Sequence, residues 1–183
     1  RQYGTDFYYR YDPWMFCDEF NSEPDPDPDG PDGAIICDTN QLVLHLRAPA
    51  NANGFTFDFL YLSTEYPEYV DLGFNDTFYA IIDRPTTGER INISFDDHES
   101  EIEVDNAFFE DPPTTNIEGT GYDGMCNDDF GYNLCGSSTG WLRTQWSINP
   151  GEEFTLTFSI HDEGDGVLDS GVIIDNFAWS NEP

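Results

Sequence analysis

The sequence contains no lysine, and its basic side chains are six arginines against 37 aspartates and glutamates. The formal net charge of −31 argues against nucleic acid and anionic membrane surfaces as partners, because both would repel the chain. Such a charge also destabilises a compact state by self-repulsion unless something offsets it. Divalent cations prefer carboxylate oxygens, and we therefore expect bound calcium. Screening by a salty environment is the alternative that composition leaves open.

Several other signals are missing. No apolar run is long enough to span a bilayer, so we expect no membrane insertion in this stretch. The sequence starts at Arg1 without Met, as expected after removal of a secretion signal. It has no GxSxG, HExxH or phosphate-loop motif. Carboxylate pairs such as Glu65 and Glu68 carry little information in so acidic a chain, and we predict that the protein is not an enzyme.

The cysteines are few but even in number, at Cys17, Cys37, Cys126 and Cys135. An even count in a turn-rich, acidic chain predicts two disulfides and an extracellular location. Local pairing of Cys17 with Cys37 and of Cys126 with Cys135 is the simplest of the three possible connectivities. A zinc site is the weaker reading, because no CxxC pair occurs and the histidines are scattered.

The hydrophobic pattern is almost wholly β. Phe55, Phe57, Phe59 and Tyr61 alternate with smaller or polar residues, as in a half-buried strand. The pattern predicts eight strands, at Gln41–Ala48, Phe55–Leu62, Thr77–Asp83, Arg90–Phe95, Glu101–Phe109, Gly140–Ile148, Glu153–His161 and Gly171–Trp179. We therefore predict a single all-β domain over residues 1–183, folded as a two-sheet antiparallel sandwich with a jelly-roll-like topology.

Two segments stand apart from this pattern. Residues 1–20 are too rich in aromatic side chains for a solvated tail. We expect them to pack on their own domain rather than to remain available for a partner molecule. Residues 21–33 form an acidic insert with alternating prolines, which favour extended backbone. Asp25, Asp27 and Asp29 partly match a calcium-binding loop, but Ile36 stands where the bidentate Glu is needed.

Two stretches carry the most distinctive motifs. The first joins the aromatic strand to Ser63, the Glu65–Val70 turn and Phe74–Asp76. The second is the closing Asp-rich loop and strand, with Asp162, Asp165, Asp169 and the Ile174–Asn176 triplet. Together they resemble the choice-of-anchor L family of secreted bacterial surface domains, over roughly residues 41–179. The resemblance implies a fold and a secreted or cell-surface location more than a specific activity.

Acidic residues within these motifs are the candidate metal ligands. Asp175 lies inside an apolar strand, where a carboxylate is costly unless it is paired, bound to metal or turned outward by β alternation. Calcium takes six to eight oxygens, which Asp175, Glu65, Asp76 and loop carbonyls are able to supply. Asp162, Asp165 and Asp169 are equally well read as further ligands or as an ordinary acidic turn.

These features predict a non-catalytic, extracellular, calcium-binding structural or adhesive module. Its aromatic N-terminal segment suggests a self-assembling subunit of a cell-surface fibre, since such a segment is able to add as a strand to a neighbour's sheet edge. Partners would then be further copies of the chain or other cell-surface proteins or glycans. The alternative is a calcium-dependent carbohydrate-binding module, in which exposed aromatic rings stack on sugars.

Overall fold

A computed structural model describes residues 35–66, 69–96, 99–105, 136–164 and 168–181, the backbone of 5–9, and residues 24, 26, 120, 122 and 166. These parts form the predicted all-β sandwich of two antiparallel sheets. The strands are β1 (Thr5–Tyr9), β2 (Ile36–Arg47), β3 (Gly54–Ser63), β4 (Thr77–Arg84), β5 (Glu89–Asn92), β6 (Ile102–Glu103), β7 (Ser137–Ser138), β8 (Leu142–Ser147), β9 (Glu153–Glu163) and β10 (Ser170–Ser180).

The larger sheet has the strand order β1-β2-β9-β4-β5, with β6 also paired to β4. The smaller sheet has β3 at its centre, with β10 on one side and β7 and β8 on the other. The chain crosses between the sheets from β2 to β3, from β3 to β4, from β6 to β7, from β8 to β9 and from β9 to β10, which is compatible with a jelly-roll-like topology.

Aromatic rings fill the space between the sheets. Phe55, Phe57 and Phe59 alternate along β3 and are fully buried. Their rings contact those of the facing sheet, with centroids 5.0 Å apart for Phe57 and Phe158 and 5.2 Å apart for Phe59 and Phe78. Rings of this size bury more apolar area per residue than aliphatic side chains do. The aromatic content therefore provides the core that a chain with so many charges would otherwise lack.

Strand β4 is buried on both of its faces along Thr77–Ile82. Phe78, Ala80 and Ile82 belong to the core between the sheets, yet Tyr79 and Ile81 on the opposite face are also buried. Pro26 of the acidic insert is buried, and its carbonyl accepts a hydrogen bond from Arg90 of β5 at 3.0 Å. The outer face of the larger sheet is therefore covered at β4.

One arginine holds the end of β4 through two carboxylates. Arg84 donates to Glu152 through Nε at 2.8 Å and Nη2 at 2.9 Å, and to Glu89 through Nη1 at 2.8 Å. This bidentate contact lowers the pKa of Glu152 to about 2. The interaction joins the β4–β5 hairpin to the turn that precedes β9.

The sequence patterns located the long strands well and the short ones poorly. Of the predicted strand Glu101–Phe109, the structure describes residues 101–105, which hold a bridge at Glu101, the short strand Ile102–Glu103 and a turn; residues 106–109 lie outside the described part. The β2 strand begins earlier than predicted, at Ile36. In the N-terminal segment, residues 5–9 pair with β2 of their own domain, as expected.

Two further predictions fall largely outside the described residues. Cys37 is disulfide-bonded, but Cys17, Cys126 and Cys135 are not among the described residues, so the pairing stays a prediction. Asp25, Asp27 and Asp29 of the incomplete calcium loop also lie outside them. Within the described part of the chain, no helix has the length and apolar character needed to cross a membrane.

Candidate functional site

Four strand ends meet at one end of the sandwich. In the smaller sheet β3 ends at Ser63, which pairs with Ser170 at the start of β10. In the larger sheet β4 begins at Thr77, which pairs with His161 near the end of β9. Because each strand neighbours one of opposite direction, the residues that leave and enter these strands converge. Residues 63–66 and 75–78 of the first motif and residues 162–164 and 169–170 of the second therefore lie close together.

The carboxylate of Asp76 is at the centre of this region and is almost fully buried, at 1 % exposure. Its Oδ2 atom accepts a hydrogen bond of 2.6 Å from the Ser170 hydroxyl, and its Oδ1 atom accepts one of 3.3 Å from the Glu163 backbone N–H. The Ser170 hydroxyl is also 3.0 Å from the Ser63 hydroxyl. Asp76 thus connects the two sheets through polar contacts inside the protein.

A second acidic residue, Glu65, is buried beside Asp76 at 3 % exposure. The Ser63 hydroxyl accepts a hydrogen bond from the Glu65 backbone N–H at 3.0 Å and so fixes the turn after β3. The Glu65 side chain is within hydrogen-bond reach of the Asp76 carboxyl. Two carboxyl groups form such a bond only when one of them carries a proton, since carboxylates are acceptors alone.

Burial raises the pKa of Asp76 to about 6, although the Ser170 hydroxyl and the Glu163 N–H both favour its charged form. The neighbouring Tyr61 is fully buried and donates its phenol hydrogen to the Asp76 carbonyl at 2.7 Å. Its pKa is raised well above the usual 10, first by burial and then by the Asp76 charge. Asp76 and Tyr61 therefore both keep their protons to a higher pH in this site than they would in water.

On the larger sheet, His161 and Glu163 extend the network. The His161 side chain is fully buried, and its Nε2 atom is 3.2 Å from Glu163 Oε1. Glu163 Oε1 also accepts from the Thr77 hydroxyl at 3.2 Å. The Ser170 hydroxyl is thus committed to Asp76 and His161 to Glu163, so these groups are not arranged as a nucleophile–imidazole pair.

Asn75, which precedes the central aspartate, has a structural role. Its amide nitrogen donates to Glu103 at 2.8 Å, and its amide oxygen accepts from the Asp105 N–H at 2.9 Å. Burial raises the pKa of Glu103 above its usual value, with the nearby Glu163 and Asp105 carboxylates acting in the same direction. Asn75 therefore fixes β6 and the following turn against the start of β4.

The structure brings only some of the predicted metal ligands together. Glu65 and Asp76 are adjacent, as expected. Asp162 is half-buried on β9 and close enough to Tyr61 to raise the pKa of that phenol. Asp169 has an exposed side chain, but its carbonyl accepts from Thr64 N–H and Oγ1 at 3.1 and 3.0 Å. Asp165 lies outside the described residues.

Asp175 does not belong to this group. It is exposed and pairs with Asp58 in the β10–β3 register, five residues from the Ser170–Ser63 pair. Five residues of strand correspond to about 17 Å. Alternation along β10 turns Val172 and Ile174 toward the core, and it therefore turns Asp175 outward. The expectation that Asp175 shares an oxygen cage with Glu65 and Asp76 does not agree with this geometry.

Asp38 is an acidic residue of this region that the sequence patterns did not single out. It has a positive φ of 49° and lies at a register shift between Cys37 and Asn40 in the β2–β9 pairing. Gly166 approaches the Asp38 and Asp162 carboxylates so closely that an added Cβ would lie 2.9 and 3.6 Å from their Oδ2 atoms. The only sequence signal was the glycine itself, which permits this close approach.

The chemistry available at this end is that of oxygen ligands and exchangeable protons. No group of three or more His, Cys, Asp or Glu side chains in the described residues is arranged to hold a metal ion. The buried Glu65–Asp76 pair supplies hard oxygen atoms, but calcium needs six to eight. A calcium ion here would need further oxygen ligands beyond this pair.

The outer face of the smaller sheet is a second candidate binding surface. Trp141 is 51 % exposed just before β8. Arg143 donates to Asp58 Oδ2 at 2.8 Å, and Asn176 Nδ2 donates to the same oxygen at 2.8 Å. These bonds, with Arg143 the larger cause, lower the pKa of Asp58 to about 2. The exposed indole lies two residues along the chain from Arg143, which belongs to this group of hydrogen-bonded polar side chains.

Comparison with known proteins supports a cell-surface assignment. Over 95 % of this chain and 80 % of the other, the structure is similar to a carbohydrate-binding module described as specific for non-crystalline cellulose, with 13 % identity and a TM-score of 0.38. This likeness is too distant to indicate a ligand. No curated protein matches significantly. Residues 28–179, most of the chain, match the choice-of-anchor L domain, and this chain therefore belongs to the choice-of-anchor L family.

Proposed function

We propose that this chain is a non-catalytic structural or adhesive module whose copies assemble into an extracellular fibre. The family implies a cell-surface or secreted protein. The observation that carries the fibre proposal is that β1 lies at the end of the larger sheet and is hydrogen-bonded there to β2. A short strand at a sheet edge is able to pair with another chain as well as with its own.

The proposal is tested by light scattering and electron microscopy of the purified chain, in high salt with calcium. We expect oligomers or fibres from the intact chain and monomers after deletion of residues 1–16. Deletion of residues 1–4, which leaves β1 intact, is the matched control and should preserve assembly. A chain that stays monomeric under all of these conditions, or a 1–16 deletion that still polymerises, would contradict the proposal.

We also propose that calcium stabilises the module. The support is the net charge of −31 and the convergence of Glu65, Asp76 and Asp162 at one end of the sandwich. A bound divalent cation would replace the proton that the buried Glu65–Asp76 pair otherwise needs. Thermal melting in calcium and in chelator, at constant ionic strength, tests this idea.

The alternative function is calcium-dependent binding of carbohydrate, and Trp141 is the observation that favours it. An exposed indole provides a face on which a sugar ring can stack, and the Asp58–Arg143–Asn176 group, whose arginine is two residues along the chain, offers hydrogen bonds to hydroxyl groups. A glycan array with calcium and with chelator would detect such binding. Loss of any binding in Trp141→Ala, with an unchanged melting temperature, would support this alternative over the structural role.

A further inference from the structure

The edge formed by β1 is short compared with the strand to which it binds. Thr5–Tyr9 pairs antiparallel with β2 in the register Thr5↔Leu44 to Tyr9↔Asn40. On its other side β2 pairs with β9 from Ile36 to Arg47, so it is held in the sheet without help from β1. The sandwich core lies between β3 and the inner faces of β2, β4 and β9. The slot beside β2 would therefore persist if β1 left it.

The chain that joins β1 to its slot is long. The 26 residues from 10 to 35 separate Tyr9 from Ile36, and at about 3.3 Å per residue they reach on the order of 85 Å when extended. Pro26 is bound to Arg90 of β5, at the opposite end of the sheet from β1. If that contact persists, residues 10–25 alone reach about 50 Å, and if Cys17 pairs with Cys37 as predicted, residues 10–16 alone reach about 23 Å. A compact chain of this size has a radius of gyration of about 16 Å, so β1 is able to reach a neighbouring copy.

Electrostatic attraction also favours contact between the β1 segment of one molecule and the body of a second. Residues 1–11 contain Arg1, Arg10 and a single acidic residue, Asp6, in a chain with a net formal charge of −31. The segment that carries β1 is therefore weakly positive, and the surface of any other copy is strongly negative. This complementarity draws the N-terminal segment toward a second molecule, whereas the bodies of the two molecules repel each other.

We propose that copies of this chain join by exchanging β1, so that Thr5–Tyr9 of one molecule occupies the β2 slot of the next in the register seen within one molecule. The inference rests on the proposed assembly and specifies its partner surface: a second copy, bound at the Asn40–Leu44 edge and at no other edge. Each molecule provides one strand and one slot, so exchange produces head-to-tail chains or closed rings.

The closed monomer and the exchanged chain make the same β1–β2 pairs. Their balance depends on the effective concentration set by the linker, commonly in the millimolar range, and on repulsion between acidic bodies. Exchange should therefore increase with protein concentration and with salt or divalent cations, in contrast to most charge-driven complexes.

The register provides a direct test. Asp6 and Val43 are opposite residues, so chains carrying Asp6→Cys are mixed with chains carrying Val43→Cys, allowed to assemble and gently oxidised. A disulfide needs Cα atoms within about 7 Å, and neither variant can form this bond within one molecule. We expect a covalent heterodimer on a non-reducing gel. The control partner is Thr157→Cys. Thr157 is opposite Val43 on β9, one strand further from β1, and this pair should give at least tenfold less heterodimer.

A second measurement uses both cysteines in one chain. Oxidation of Asp6→Cys/Val43→Cys in dilute solution locks β1 in its own slot, so the locked chain should remain monomeric and regain assembly on reduction. The proposal is overturned if the intact chain assembles but the two heterodimer yields are equal, or if the locked chain assembles as well as the reduced one. An intact chain that never assembles would instead refute the proposed function itself.

Discussion

The Ser170 hydroxyl lies 2.6 Å from Asp76 Oδ2 and so joins the first residue of β10 in one sheet to the residue that precedes β4 in the other. The sheets of a sandwich are otherwise held together by apolar contacts, which have little directional preference. This hydrogen bond, together with the Glu163 N–H bond to the same carboxylate, fixes the relative position of the sheets at one end. Several measurable properties follow from it.

Ser170→Ala should destabilise the domain by about 1–3 kcal/mol, because it leaves the buried Asp76 oxygen without its donor. Urea unfolding followed by tryptophan fluorescence measures this difference. Ser147→Ala is the matched control: Ser147 is exposed at the end of β8, so its truncation should cost less than about 0.5 kcal/mol. Equal effects of the two substitutions would show that the Ser170 bond contributes nothing.

Stability in calcium-free buffer should fall as the pH rises from about 4 to 6. The pKa of Asp76 is near 3.8 in the unfolded chain and about 6 in the folded one, so the native state binds more protons in this window. The stabilisation is fully present below pH 4 and lost as the pH passes 6, with an upper limit of about 3 kcal/mol. Glu65, His161 and Glu163 lie around the same carboxyl.

Asp76→Asn, which cannot ionise, should flatten this pH dependence, as measured by thermal melting from pH 4 to 7. Glu153→Gln removes an exposed carboxylate on β9 and should leave the slope unchanged. A wild-type slope of opposite sign in this window would contradict the buried, proton-binding state of Asp76.

Calcium should raise the melting temperature more than magnesium does at the same ionic strength. A ligand that binds only the folded state adds about 2.7 kcal/mol at a hundredfold excess over its Kd. Glu65→Gln and Asp76→Asn should each reduce the calcium response, whereas Asp175→Ala should not, since Asp175 is exposed and remote from the pair. A calcium response equal to that of magnesium in every variant would leave screening as the sole effect of cations.

Arg84→Ala should destabilise the domain by about 2–4 kcal/mol, because Glu152 and Glu89 lose their shared cation. Arg84→Lys should recover only part of this loss, since an ammonium group lacks the planar fork that binds Glu152 through two nitrogens. Arg47→Ala serves as the control, because Arg47 is exposed and 3.9 Å from Glu153. Chemical denaturation of the three variants would show whether stability depends on the guanidinium geometry of Arg84 or only on its positive charge.

Strong alternation is the feature that made the fold predictable. Along β3 and β9 every second residue is a large apolar side chain, and both strands lie where the pattern placed them. By contrast, β1 has aromatic residues at Phe7, Tyr8 and Tyr9, so its pattern does not distinguish two faces. The β6 pairing is two residues long, which is too short for any periodicity to reveal.

The candidate site was predictable to the extent that it depends on strand ends. Glu65 follows β3 and Asp76 precedes β4, and their adjacency follows from the crossing of the chain between sheets. Asp175 was misplaced because the cost of a carboxylate beside Ile174 was weighed above the alternation that turns it outward. The roles of Asp38 and Glu163 depend on a register shift and on a backbone N–H bond, and side-chain type does not encode either one.

The burial of β4 on both faces affects how its backbone amides become exposed to solvent. Its residues Thr77–Ile82 are all buried, and β9 pairs with all of them on one side, so the amides that face β9 are protected from water. Native-state hydrogen exchange of these amides should require global unfolding and report the full free energy of unfolding. Amides of β1, at the margin of the same sheet, should exchange orders of magnitude faster through detachment of that strand alone.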